Sequence, residues 1–133
     1  MSGVDPVVRH MLLCDDARPN PNNPRKWDVL GLVSAVNAAS ESDFPVLVPT
    51  LCVYLEIAGG RGTGQARIDC RQADSGKVMF SSPTHEVTFP PDPLAVRGLA
   101  FRLVDCKFPQ PGLYWLQFCY NQQTLAEQPL IVR

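Results

Sequence analysis

The best candidates for a polar binding site in this 133-residue sequence are two adjacent carboxylates followed by a guanidinium: Asp15, Asp16 and Arg18. They follow a short apolar run and open a proline-rich stretch at 15–26, so we expect them at the stem of a loop. Carboxylates on sandwich loops can bind Ca²⁺, but such a site needs six or more oxygens, and no D-x-D spacing is present. The alternatives are a solvated stem, in which an Asp caps backbone amides and pairs with Arg18, and contact with a partner.

A second candidate is the glycine-rich segment GGRGTG at 59–64, where Gly60 and Arg61 could bind an anion through exposed backbone amides. The spacing does not match a nucleotide motif. A Walker pattern needs Lys after Gly64, where Gln65 stands, and a dinucleotide fingerprint that starts at Gly60 needs Gly at position 65. A mobile hairpin tip is therefore the main interpretation, with anion binding as the alternative.

Nucleophilic or acid–base catalysis has few residues to draw on, because the chain has only two histidines, His10 and His85. The five cysteines are scattered through apolar runs without a CxxC pair, which is typical of small buried hydrophobes in a reducing compartment. A catalytic thiol would need one of the histidines as its base, and a zinc site is not supported by the spacing. The GxSxG and HExxH motifs are absent. We predict no catalytic residues, no cofactor and no metal.

Apolar side chains at outward-facing strand positions are the third candidate. In the segment 113–120, Tyr114, Leu116 and Phe118 share one face, so the alternate positions face the other way. An outward Trp beside other apolar groups often marks an interface. The predicted interface residues are Leu113, Trp115, Cys119, Cys52 and Tyr54. The alternatives are that Trp115 lies under a loop, such as 15–26 or 38–47, or that a bulge changes the register.

The elements that must position these residues are short strands. They are predicted at 7–14, 27–36, 48–58, 65–72, 77–82, 85–89, 97–104, 113–120 and 124–132. Turn signals every eight to twelve residues favour an all-β fold: one domain spanning 1–133, an antiparallel immunoglobulin-like β-sandwich of seven to nine strands. Alternate loops of such a sandwich share an end, so we expect 15–26, 59–64 and 107–111 to lie together. The alternative is that 85–89 is not a true strand, in which case 107–111 lies at the opposite end.

Composition excludes several classes of protein. The 13 prolines and 9 glycines exceed average usage and exclude a helical bundle. The 12 basic and 13 acidic residues give a net charge of −1, which argues against nucleic-acid and membrane partners. No apolar run is long enough to span a membrane, and the first residues lack the basic region of a signal peptide. We therefore expect a cytoplasmic protein.

Three short features carry a resemblance: Gly31 in the second predicted strand, Phe44-Pro45 before the third, and Pro111-Gly112-x-Tyr114 before the penultimate strand. With them the sequence resembles, over nearly its whole length, a bacterial family of small intracellular proteins catalogued as a domain of unknown function. The Pro-Gly-x-Tyr opening is similar to that of many immunoglobulin-like sandwiches. The resemblance implies a β-sandwich and a bacterial source, and it implies no catalytic residues.

The shortage of catalytic groups and the outward Trp115 favour a non-enzymatic protein-interaction or structural module of unknown biological role. Its partner is expected to be another protein or a second copy of the chain. The alternative is a β-sandwich that binds a small ligand or an ion with the loops at one end. Its candidate residues are Asp15, Asp16, Arg18, Gly60 and Arg61.

Overall fold

Residues 3–133 are described by a computed structural model, which contains ten strands and one short 3-10 helix in that range. The strands are β1 (Val7–Asn20), β2 (Asn23–Leu32), β3 (Ala35–Val36), β4 (Val46–Ala58), β5 (Thr63–Gln72), β6 (Val78–Ser81), β7 (His85–Thr88), β8 (Val96–Phe108), β9 (Gly112–Tyr120) and β10 (Gln123–Val132). The 3-10 helix, Glu41–Asp43, precedes β4. The predicted all-β fold is confirmed. There are ten strands rather than seven to nine because the run at 27–36 divides into β2 and β3.

The strands form two sheets. Sheet I has the order β2-β1-β4-β8, and all its neighbours are antiparallel. Sheet II has the order β3-β10-β9-β5-β6, with β7 paired to the first residues of β5. Its neighbours are antiparallel except for β3, which pairs in parallel with the end of β10.

The core lies between the two sheets and is built by side-chain alternation, as the sequence predicts. Each inward side chain that is fully removed from water contributes about 2 kcal/mol of hydrophobic free energy. The inward residues of β4 and β9 are Leu51, Val53, Leu55, Ile57, Tyr114, Leu116, Phe118 and Tyr120, and none is more than 1% exposed. These two central strands therefore fix which residues of their sheets face outwards.

A second, smaller hydrophobic layer covers the outer face of sheet I. Beyond Cys14, β1 leaves β4 and pairs with β2 alone, and the resulting hairpin folds over the sheet. The Trp27 ring lies 5.3 Å from the Tyr54 ring, and the Ala17 carbonyl accepts a hydrogen bond from Arg102. The predicted loop at 15–26 is therefore wrong. Pro21 lies in the turn, and Pro19 and Pro24 fit the strands because this part of the hairpin has an open side, where a missing N–H breaks no ladder.

The start of β9 is fixed by a tyrosine hydroxyl. Tyr114 donates a hydrogen bond to the Gln110 carbonyl at 2.7 Å, four residues upstream. A tyrosine near the start of a strand that bonds back to the preceding loop is the tyrosine corner of immunoglobulin-type sandwiches. The immunoglobulin-like assignment stays a prediction, and this corner supports it.

Candidate functional site

The residues predicted for a loop-end binding site are not brought together. The β4–β8 ladder runs from Val46 opposite Phe108 to Ala58 opposite Val96. The glycine segment follows the second of these ends and the loop at 109–111 follows the first, so the predicted common end is wrong. Asp16 contacts Arg102 in the middle of β8, six ladder positions before the end that Gly60 follows.

The carboxylates of the predicted site have other partners. Asp16 Oδ1 accepts a hydrogen bond from Arg102 Nε at 3.1 Å, and both side chains are about half exposed. Asp15 is exposed beside Gly31, and Arg18 is exposed opposite Asp28 of β2. The expected pairing with Arg18 is therefore corrected to Arg102. An exposed ion pair of this kind contributes at most about 1 kcal/mol.

The glycine segment uses its backbone within the chain. The Arg61 amide donates to the Val4 carbonyl at 3.0 Å, and the Val4 amide donates to the Arg61 carbonyl at 3.1 Å. Gly60 is buried against the Phe89 ring, and the Phe89 amide donates to the Gly62 carbonyl at 3.0 Å. The segment joins β4 of sheet I to β5 of sheet II, so the expected hairpin is wrong. The Arg61 amide is already bonded to Val4 and is not free to bind an anion.

Three of the five predicted interface residues are buried. Cys52 and Tyr54 face away from the main core as expected, but they are 0% and 6% exposed because the β1–β2 hairpin covers them. Cys119 is 4% exposed beside Asp69 and Thr124. Strand alternation predicts the face of a side chain but not what covers that face, so these three residues are corrected to interior positions.

The other two predicted residues lie in an apolar patch on the outer face of sheet II. Leu113 is 37% exposed and Trp115 is partly exposed on β9. Across the strand pair, Leu113 is opposite Ile131, which is 45% exposed, and Trp115 is opposite the exposed Pro129. We call these four residues the Trp115 patch.

The patch continues into a groove of about 430 Å³ between the two sheets. Pro129 and Ile131 of the patch line one side of this seam groove, and Met11, Leu12 and Leu32 line the other. Leu32 is 71% exposed. The sequence pattern gave no indication of this continuation, because it depends on which strands of the two sheets meet at the edge.

A polar network borders the Trp115 patch. Burial acts to raise the pKa of Asp69, but hydrogen bonds from Arg67, Ser81 and Cys119 more than offset it and hold the pKa below its ordinary value. In the same row of the sheet, the Gln117 side chain lies opposite Asp69, accepts a hydrogen bond from Arg71 and donates one to Glu127. Side chains of β5, β9 and β10 are thus tied to one another around the patch.

The thiols are not placed for nucleophilic chemistry. All five cysteines are buried, and burial raises the pKa of Cys14 and Cys70 to about 12 and that of Cys106 to about 11. Within residues 3–133 no hydrogen bond joins a thiol to an imidazole: His10 is exposed on β1, and the His85 ring packs against Phe101 at 5.1 Å. The same range holds no group of three or more His, Cys, Asp or Glu residues that could bind a metal ion.

We expect the native protein to react very slowly with Ellman's reagent and the unfolded protein to react at all five cysteines. A thiol with a pKa of about 12 is ionised on the order of 1 part in 10⁵ at pH 7, and burial also blocks the reagent. The absorbance of the released thiolate measures both rates. Rapid stoichiometric reaction of one cysteine in the folded protein would contradict this account and restore a catalytic thiol.

A further cleft, which the sequence pattern does not predict, lies on the outer face of sheet I. It has a volume of about 630 Å³ between the β1–β2 hairpin and the start of β8. Trp27, Tyr54 and Gly98 line it, together with Arg25 and Glu56. We call it the Trp27 cleft. The sequence treats Arg25 as part of a loop and Trp27 as a strand residue, and only the folding of the hairpin over the sheet brings both beside β8.

These features define a two-sheet β-sandwich with one hairpin folded over its outer face. The chain belongs to a family of unknown function, DUF6941, whose family model matches residues 9–133. The predicted membership in a domain-of-unknown-function family is thereby confirmed, and the bacterial source stays a prediction. No curated protein shows significant similarity to the chain.

Solved structures show a likeness in fold alone. The alkylpurine DNA glycosylase AlkC of Pseudomonas fluorescens, solved bound to DNA with an abasic-site analogue, matches with a TM-score of 0.57 and 10% identity, over 98% of this chain and 31% of that chain. The β-D-glucoside glucohydrolase of Trichoderma reesei matches with a TM-score of 0.50 and 13% identity, over 98% of this chain and 19% of that chain. The chain thus spans less than a third of either protein.

Across the described residues, no helix has the length and apolar character to cross a membrane.

Proposed function

We propose that this protein is a non-enzymatic interaction module that binds a second copy of itself through the Trp115 patch. The observation that carries the proposal is a partly exposed indole grouped with three exposed apolar side chains, on strands whose surrounding residues are tied by hydrogen bonds. Tryptophan is enriched at protein interfaces and often dominates their binding energy. A stable interface buries roughly 800 Å² on each partner, and the seam groove adds apolar surface to that of the Trp115 patch.

A second copy fits the charges around this surface. Arg71 of β5 and Glu127 of β10 lie on opposite sides of β9, one on each flank of its outward side chains. In a two-fold interface the same surface meets itself, so the Arg71 flank of one copy can face the Glu127 flank of the other. A net charge of −1 also gives little repulsion between copies. The five free thiols suit the reducing conditions of the cytoplasm, which is the location we propose.

Light scattering after size exclusion tests the proposal. We expect the wild-type protein to form a dimer at micromolar concentrations and Trp115→Ala to shift it to monomer, weakening association by about tenfold or more, because the indole supplies a central contact. Val104→Ala is the matched control, since Val104 is also exposed and apolar but lies on β8 of the other sheet. A monomeric wild type, or a dimer that Trp115→Ala leaves unchanged, would refute self-association through this patch.

A further inference from the structure

We propose that the Trp27 cleft is a binding site for a neutral carbohydrate, a function separate from the Trp115 patch and on the opposite sheet. Its volume of about 630 Å³ is within the range of roughly 300–1,000 Å³ that is typical of small-molecule sites. The cleft combines an aromatic wall with several converging polar side chains. That combination is the general pattern by which a pocket fixes the orientation of a ligand.

The aromatic wall depends on a missing side chain. A Cβ added at Gly98 would lie 2.2 Å from the indole Nε1 of Trp27, so only glycine lets the indole lie against the β8 backbone. The indole also packs against the Tyr54 ring, with the ring centroids 5.3 Å apart and the planes tilted by 46°. The Nε1 edge of the indole thus lies against β8, and Trp27 is partly exposed, so the rest of its ring lines the cleft as an apolar surface.

The charged side chains of the cleft cancel. Arg25 and Arg97 line it together with Glu56 and Asp92, so neither a phosphorylated nor a cationic ligand gains a net attraction. Glu56 is already paired with Arg9, at 3.5 Å, and Arg97 donates to the Thr88 carbonyl.

What these groups offer is directional hydrogen bonding. Carboxylate oxygens accept hydrogen bonds, and guanidinium groups donate them in a fixed planar array. A sugar ring presents hydroxyl groups around its rim and C–H groups on its faces. It therefore matches a cleft in which donors and acceptors surround an aromatic wall, whereas a purely apolar ligand would leave these polar groups desolvated.

Two titrations test the proposal on the full chain. In a Trp115→Phe variant Trp27 is the only indole, so its fluorescence reports on the cleft. We expect a saturable change when glucose, galactose, mannose, N-acetylglucosamine or their disaccharides are added, with a Kd of about 1 mM or tighter for at least one of them. Saturation-transfer NMR then compares variants. Arg25→Ala should weaken binding of that sugar about tenfold, because Arg25 is an exposed hydrogen-bond donor that lines the cleft.

The control is Arg18→Ala, which removes an exposed arginine from the same hairpin but outside the cleft and should leave binding unchanged. Trp27→Ala should abolish binding. Trp27 also packs the hairpin against sheet I. If Trp27→Ala does not fold, the comparison of Arg25→Ala with Arg18→Ala tests the proposal. The proposal is overturned if none of these sugars binds, if Arg25→Ala and Arg18→Ala bind equally, or if AMP or inorganic phosphate binds more tightly than every sugar.

Discussion

Gly64→Ala should destabilise the protein strongly, lowering the free energy of unfolding by about 3 kcal/mol and the Tm by roughly 10 °C. Gly64 is buried in β5, and a Cβ there would lie 2.1 Å from the ring of Tyr120. That ring is 1% exposed and packs against Phe89 and Phe118, so it has no space to move into. Urea unfolding followed by circular dichroism measures the loss.

A double-mutant cycle separates this clash from a general effect on β5. In a Tyr120→Ala background the ring is gone, and Gly64→Ala should cost at least about 1 kcal/mol less than in the wild type. Gln65→Ala, at the exposed neighbouring position, should change stability by less than about 0.5 kcal/mol. Equal costs of Gly64→Ala in the two backgrounds would contradict the assigned contact.

Asp69→Ala should destabilise the fold by about 3 kcal/mol at pH 7, because it removes the acceptor of four side-chain hydrogen bonds from three residues and leaves Arg67 without its ion-pair partner. Asp69 itself is 5% exposed. The matched control is Asp16→Ala, which removes a half-exposed ion pair and should cost less than about 1 kcal/mol. Denaturant unfolding of both variants provides the comparison.

The stabilisation of the fold by Asp69 should also depend on pH, and it should decrease as the pH falls into the acidic range. The folded pKa lies below the ordinary Asp value of 3.8, so the stabilisation is fully present above that value and disappears as the pH falls through the folded pKa. The difference in stability between the wild type and Asp69→Asn should therefore be constant from pH 7 to about 5 and shrink below about 3.8. A difference that stays constant down to the acid limit would show that Asp69 is not held ionised by its partners.

The sequence predicted the fold most accurately where the position of a side chain depends on a single local rule. Alternation along β4 and β9 is a property of the strand itself, so the inward positions from Leu51 to Ile57 and from Tyr114 to Tyr120 were predicted correctly. The hairpin was missed because three prolines, at 19, 21 and 24, normally indicate a loop. Whether a proline breaks a strand depends on whether its nitrogen faces a partner, and the sequence does not contain that information.

The candidate site residues also divide into those whose position follows from strand alternation and those whose position depends on distant parts of the chain. Leu113 and Trp115 were found because their outward direction follows from alternation. Cys52 and Tyr54 have the same signal, yet a distant hairpin covers them. Asp16 and Gly60 were expected to meet because alternate loops of a simple sandwich share an end. That expectation failed because β1 continues as a strand well past Cys14 and its hairpin lies across the sheet.

Site-directed photo-cross-linking tests the central claim, that the Trp115 patch joins two copies of this chain. A photoreactive side chain at position 113 should link to peptides of β9 and β10, and mixed isotope-labelled and unlabelled protein identifies which links join different copies. The same group at position 104, on the exposed face of β8, should give no intermolecular links. We expect links from position 113 between different copies, and we expect Trp115→Ala to remove them. Links from position 104 alone, or links from 113 that occur only within one copy, would contradict it.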